Sequence, residues 1–286
     1  MIELNNDVKL ERLERTYVDG RVTLHFLSGF DNQVIINNSI NQNKSIIVDE
    51  FADVEIIEFV TEKSEENSIL IEVEVHGKLR YHQVFLSEIK NNNINVLTKV
   101  YDGGSYVESL IDLNKGNSKV DIESNVLDEG GLVEIYTACL SGEKQVKNIE
   151  VNSINFAAHT ECHMTNFGIG YDEGKVHVTG IGDIRNGAHG STNKQKSTMI
   201  VFDELAKATN KPLLLIEEDD VVANHASAVG KIDEQTIFYL CSRGLTLKQA
   251  KKYISLGYFK PVLNVINDIN TKDKVLNYLE EVIKDD

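Results

Sequence analysis

In Ile69-Leu70-Ile71-Glu72-Val73-Glu74-Val75 the apolar Ile71, Val73 and Val75 alternate with Glu72 and Glu74, the period-two pattern of a strand with one buried and one wet face. The same pattern recurs through Val54-Glu55-Ile56-Ile57-Glu58-Phe59, Val120-Asp121-Ile122-Glu123-Ser124, Leu132-Val133-Glu134-Ile135, Ile149-Glu150-Val151 and Val176-His177-Val178. Gly, Asn and Asp turn residues separate these runs. From about residue 29 to residue 229 the chain therefore reads as a succession of short strands, which suits a sandwich, a barrel or a solenoid. No strict repeat chooses among these, although two prolines and the lack of a long helical crossover are compatible with stacked coils. Residues 1–28 form a lead-in segment: Val8, Leu10 and Leu13 suggest a short helix around Lys9-Leu10-Glu11-Arg12, and Thr16 to Leu24 reads as a hairpin centred on Asp19-Gly20.

After Gly230 the period lengthens to about 3.6, marking residues 230–286 as a helical subdomain. Asp233 is placed to cap a first helix whose Ile237, Leu240 and Cys241 share a face, and Gly244 sits where a left-handed residue ends it. Thr246 and Gln249 have capping-box spacing for a second helix with the apolar stripe Leu247, Ala250 and Ile254, and Gly257 is expected to stop it before Pro261. A third helix is expected from Thr271, burying Val275, Leu279 and Val282, with Leu276 and Ile283 widening the stripe. By solenoid physics alone these helices would cap the open end of the β-region.

Composition narrows the functional classes. The chain has 286 residues, 41% of them hydrophobic, enough for a substantial core. A net charge of −16 with no basic stripe argues against a nucleic-acid partner. No segment approaches the ~18 consecutive apolar residues of a membrane span, and Met1-Ile2-Glu3-Leu4-Asn5 lacks the features of a secretory signal, so a cytoplasmic location without membrane contact is expected. Cys139, Cys162 and Cys241 are odd in number and lack CxxC spacing, which predicts free thiols in a reducing compartment.

Two clusters invite a chemical reading. His159-Thr160-Glu161-Cys162-His163 offers nitrogen, oxygen and sulfur donors; on a strand, His159, Glu161 and His163 share one face while Cys162 points to the other. His159 and His163 are accordingly the metal candidates of that stretch, with Cys162 a core residue. Gly187-Ala188-His189-Gly190-Ser191 and Gly180-Ile181-Gly182 lack the lysine or following helix of a phosphate cradle and read as coil corners, so no bound nucleotide is expected. Cys139 and Cys241 lie in apolar settings expected to keep them inert.

The stretch from Leu213 to Leu245 joins an acidic strand, one histidine and a capped helix without a break. Asp219-Asp220-Val221, His225, the run Ala226-Ser227-Ala228-Val229-Gly230, Asp233 and Phe238-Tyr239-Leu240 followed by Ser242-Arg243-Gly244 resemble the signature of the SufBD family. The resemblance is gapless from about Phe156 to Phe259 and generic before that. It implies a right-handed parallel β-helix core with a small C-terminal helical subdomain, and a non-catalytic, cytosolic scaffold of iron–sulfur cluster assembly. It further implies docking of a SufC-type ATPase on the C-terminal helices, through Phe238, Tyr239, Arg243, Leu247, Tyr253 and Phe259. It also implies dimerisation with a SufB-like subunit or with a second copy.

His225 matches the family histidine linked to assembly of a transient, shared iron–sulfur cluster, and a neutral imidazole can ligate iron. The chain departs from the family pattern at three positions. One SufD type has a cysteine where this chain has Ala223, SufB proteins have a glutamate where it has Ala226, and the SufB cysteine used in building the cluster falls near Ala206. The resemblance is therefore SufD-like, with a partner supplying the sulfur ligands. Two other readings stand beside it: a degenerate SufBD paralogue, and a free-standing β-helix enzyme acting on polysaccharide, which the absence of tryptophan disfavours.

Overall fold

Strand alternation puts one row of side chains on each face, and stacking such strands in parallel register buries a continuous inner column. The structure, a computed structural model, describes residues 2–3, 11–37 and 40–282. Its strands form a β-solenoid of about 7 turns with two parallel sheets. One sheet runs, in spatial order, β1 (Ile2–Glu3), β4 (Asp31–Asn37), β6 (Asp53–Val60), β8 (Lys78–Phe85), β10 (Ser105–Asp112), β12 (Leu132–Ser141), β14 (Glu161–Gly170), β16 (Thr192–Val201) and β18 (Val222–Lys231). The other runs β2 (Leu13–Val18), β3 (Arg21–Phe26), β5 (Asn43–Val48), β7 (Lys63–Val75), β9 (Glu88–Val100), β11 (Asn117–Val126), β13 (Val146–Asn155), β15 (Lys175–Ile184) and β17 (Lys207–Ile216). The expected mainly β, parallel β-helix architecture is thus what the chain adopts.

Asp19-Gly20 makes the expected hairpin: β2 and β3 pair antiparallel, with both turn residues at positive φ (49° and 79°). Of the short helix suggested around Lys9–Arg12, Val8, Lys9 and Leu10 lie outside the described residues, while Glu11 and Arg12 form a turn and Leu13 opens β2.

The inner columns follow the register. Val54, Leu79, Tyr106, Val133, Cys162 and Asn193 stack in one, and Ile56, Tyr81, Glu108, Ile135, Met164, Gln195 and His225 in the next. The apolar members are almost wholly buried, each worth about 1.5–3 kcal/mol of transfer free energy. Charged groups also sit inside. Lys44 pairs with Glu58 at 2.7 Å, and Lys147 bonds Asp112 (3.1 Å), the Asn114 carbonyl (2.7 Å) and the Ser118 hydroxyl (3.1 Å).

Three helices follow β18: α1 (Glu234–Ser242), α2 (Leu247–Asn264) and α3 (Ile269–Val282). They do not close the end of the solenoid. Phe259, Val262, Leu263, Ile266, Val275 and Leu279 instead pack on the outer face of the first sheet, against Ile57, Val84, Ile111, Phe167, Ile169 and Phe202. Flat apolar strand ends give two helices more surface to bury than a coil rim would. Val54–Phe59, read as half-buried, is consequently covered on both faces.

Local capping chemistry holds as expected. Asp233 accepts from the Gln235 N–H, Gly244 takes φ +95° after α1, and Thr246 and Gln249 form the full capping box. Gly257 does not stop α2, which continues through Pro261 to Asn264. The Gly257 carbonyl left without Pro261's N–H lies on an exposed residue, while Phe259, Val262 and Leu263 downstream are buried, so packing outweighs the break. Leu247 is exposed at 54% rather than part of the buried stripe, and Cys241 is half-buried. Ile283 lies outside the described residues.

Candidate functional site

The last coil, β17 and β18, differs from every coil before it. Along β14 and β16 the inner row is buried, whereas β18 is exposed over most of its length and β17 is at most half-buried. Each is the free edge strand of its sheet. Leu215 (49%), Val222 (54%) and Val229 (48%) stand open to solvent on this coil. An edge of this kind is a template for another chain unless something covers it.

His225 lies within β18, which continues to Lys231. Register puts it opposite Gln195, whose amide donates to the Leu213 carbonyl at 2.7 Å, and so on the inner row of the open coil. Ala223, Ser227 and Val229 share that row, and the Asn210 amide bridges the two strands by donating to the Ser227 hydroxyl at 2.7 Å. Ala226 takes the outward phase. A cysteine at position 223 would therefore face the same way as His225, whereas a glutamate at 226 would face the opposite side. Ala206 is buried in the turn before β17, with its Cβ packed toward Gly170.

The rim of this coil is charged in a regular way. Lys207 and Lys211 lie on the first half of β17, Glu217 to Asp220 follow its end, and Lys231 ends β18. Glu218 accepts from the Gly187 and Asp219 N–H groups, which hold its carboxyl below the usual range.

The helical subdomain presents a second exposed surface. Phe238 (74%), Tyr239 (56%), Leu247 and Tyr253 (53%) are uncovered, and the Arg243 guanidinium lies over the Tyr239 ring at 5.3 Å. Phe259 is not part of this surface. It is fully buried beneath α2, where its ring fills the helix-to-sheet core.

Polar ties fix the subdomain to the sheet. Tyr171 shares a hydrogen bond with Ser255, Lys251 pairs with Asp203 at 2.9 Å, and the Asn267 N–H donates to Glu55 at 3.1 Å. Burial would raise the Glu55 carboxyl, but the hydrogen bond from His82, the Asn267 N–H and the charges of His82 and Arg80 bring it down to about 2. Sequence reasoning missed this buried Glu55–His82 pair, just as it missed Lys44–Glu58. For Glu58 the available signal was its inward phase between Ile56 and Val60; Glu55 and His82 take the outward phase, buried only because the helices cover it.

His159 and His163 do not share a strand face. β14 begins at Glu161, and His159 occupies the preceding turn with φ +54°, so only Glu161 and His163 lie together on the outer face, 3.2 Å apart. Among the described residues no group of three or more His, Cys, Asp or Glu side chains is arranged to hold a metal ion. Cys139 and Cys162 are wholly buried, and burial pushes both thiols up to about 12, so neither is a ready ligand or nucleophile. None of the described helices is long and apolar enough to cross a membrane.

Comparison with known proteins converges on one group. The family described as "SUF system FeS cluster assembly, SufBD core domain" matches residues 32–258. A Bacillus subtilis protein named iron-sulfur cluster assembly protein SufD is 26% identical over 251 residues, covering 76% of this chain and 57% of its own length. An iron-sulfur cluster assembly SufBD family protein of Mycobacterium tuberculosis is 27% identical over 201 residues, covering 68% of this chain and 24% of its own. Another of that description from Staphylococcus aureus is 27% identical over 225 residues, covering 76% and 48%. The chain thus spans between 24% and 57% of the length of these relatives.

Proposed function

The chain belongs to the SufBD family, and from that premise we propose that it is a SufD-like, non-catalytic scaffold subunit of a cytoplasmic iron–sulfur cluster assembly complex. The observation that carries this reading is the open last coil. A solenoid that covers one sheet with helices yet leaves both terminal edge strands bare has an end shaped to receive a second β-rich chain. In this reading the second chain is a SufB-like subunit or another copy. Antiparallel pairing of two copies centred on Pro212 would set Lys207 of one β17 opposite the other's Glu217. Charge complementarity of this kind favours that orientation over a parallel continuation.

At such a junction His225 contributes one imidazole to a transient cluster, which is cargo shared between subunits. No thiol shares its row: Ala223 stands where a sulfur ligand would be, and Cys162 is two strands deeper. Sulfur ligands must then come from the partner. The exposed patch of Phe238, Tyr239, Arg243, Leu247 and Tyr253 is the surface we assign to a SufC-type ATPase. Its composition suits an interface core, being aromatic and arginine-bearing with few acids. The nucleotide chemistry belongs to that ATPase.

The test is an anaerobic pull-down of the tagged protein with the SufC-type ATPase of the same organism, followed by mass measurement of the complex. A stable complex lost in Phe238→Ala/Tyr239→Ala supports the reading. Absence of any complex with correctly folded protein overturns the docking assignment.

A further inference from the structure

Two stretches that look unrelated in sequence, His159-Thr160-Glu161-Cys162-His163 and Gly187-Ala188-His189-Gly190-Ser191, meet at one edge of the solenoid. Successive turns there are locked together: the His159 N–H donates to the His189 carbonyl at 2.9 Å, and Thr160 shares a hydrogen bond with Ser191 at 2.9 Å. His159 holds φ +54°, and its ring lies directly over Gly190, where a Cβ would come within 2.4 Å of Nδ1. Gly190 itself holds φ +69°, and a side chain there would push the ring aside. The two imidazoles stand edge to face with centroids 5.2 Å apart and planes at 78°. From the preceding turn Glu129 brings a carboxylate oxygen to 3.9 Å from His159 Nε2, and both side chains are open to solvent.

Most other imidazoles are already committed. His76 is held between Asp102 (2.6 Å) and Glu74 (2.9 Å), His82 between Ser109 and Glu55, His25 by Asp49, and His163 by Glu161. His159 and His189 are instead held by the backbone on a rigid edge with their rings facing each other.

We propose that His159 and His189, flanked by Glu129, form an exchangeable surface site for a divalent first-row transition-metal ion. Neutral imidazole is a favoured donor for Zn²⁺, Ni²⁺ and Cu²⁺, and two imidazoles fixed on adjacent turns chelate with little side-chain ordering. Glu129 offsets part of the ion's charge, and the net charge of −16 concentrates cations near the surface. Two imidazoles lie side by side where a closed structural zinc site has four ligands, so water fills the remaining positions. The site stands apart from the cluster-assembly reading and from His225.

Equilibrium dialysis of the untagged full chain against Zn²⁺ tests it. Saturable binding of one equivalent is expected, weakened at least about tenfold by His159→Asn or His189→Asn and less by Glu129→Gln. His163→Asn and His225→Asn should leave it unchanged. Asparagine tolerates the left-handed backbone at position 159, and circular dichroism confirms the fold of each variant. Binding that survives both His159→Asn and His189→Asn, binding lost equally in His163→Asn, or no saturable binding by the wild-type chain would overturn the proposal.

Discussion

The two ends of the solenoid are finished in opposite ways. At the first coil β2 folds back antiparallel on β3, and its edge carries Glu14 and Arg15. Beneath it Leu24, Phe26, Ile46 and the Lys44–Glu58 pair are sealed from water. At the last coil β17 and β18 keep the parallel pairing of the coils below, and their inner row of Asn210, His225, Ser227 and Val229 meets solvent. A hairpin terminates a parallel stack because it reverses the pairing direction and its edge is short and charged; a bare parallel coil leaves the ladder unfinished. In the sheet that holds both β3 and β17 the chain itself finishes one end with a reversed strand, whereas the other end stops on a bare parallel strand.

The largest expected effect lies at the closed end. Glu58→Leu strands the Lys44 ammonium in the lumen and should cost about 3–5 kcal/mol in chemical denaturation, whereas Lys44→Met/Glu58→Leu together should recover most of that loss. Matching changes at the open end should be silent in the isolated chain: Ser227→Ala, which removes the Asn210 bond, is expected within about 0.5 kcal/mol of wild type. Similar losses at the two ends would erase the distinction drawn between them.

Association should show the reverse asymmetry. Val229→Asp places a charge on the inner row of the open coil and should weaken pairing with a SufB-like subunit or a second copy at least about tenfold, read by sedimentation, with the melting transition unchanged. Thr23→Asp in β3, at the closed end, should leave pairing as it is.

The lumen between the ends carries a pH signature. Burial pushes the Glu108 carboxyl up to about 8, outweighing the hydrogen bond from Tyr106. Its folded value lies above its unfolded one, so its contribution to stability is full below about pH 4.5 and is lost as pH rises towards and through 8, at no more than ~1.4 kcal/mol per pH unit. Glu108→Gln should flatten that decline in denaturation curves taken from pH 5 to 9. The smallest effect on stability is expected for His225→Ala, exposed on the open row: within about 0.5 kcal/mol, but with reduced cluster yield in anaerobic reconstitution.

Much of the fold was legible because it is written in local chemistry. Alternation in Ile69–Val75 marks a strand, Asp19-Gly20 a hairpin, and Asp233, Gly244 and the Thr246/Gln249 pair mark helix ends, since each acts within a few residues. What the sequence hides is non-local. Gly257 fails to stop α2 because Phe259 and Val262 find a sheet to cover, and Val54–Phe59 is buried twice for the same reason. Glu58 takes the inward phase, but its partner Lys44 lies on the next-door strand of the facing sheet, which the local pattern does not show. The site is legible to the same degree. His225 is visible as an isolated histidine in a strand, but its exposure follows from the last coil having no successor. The residue pattern sets His159 beside His163, whereas a left-handed turn, invisible in that pattern, carries it off the strand and beside His189.

The central claim, that the uncovered coil is an assembly surface, is tested most directly by hydrogen exchange along Val222–Lys231. The account predicts fast exchange at the free edge of β18 in the isolated chain and clear protection there when a SufB-like subunit is added, or when the chain pairs with itself at higher concentration. Unchanged exchange across Val222–Lys231 in a complex whose mass proves that it has formed would contradict it.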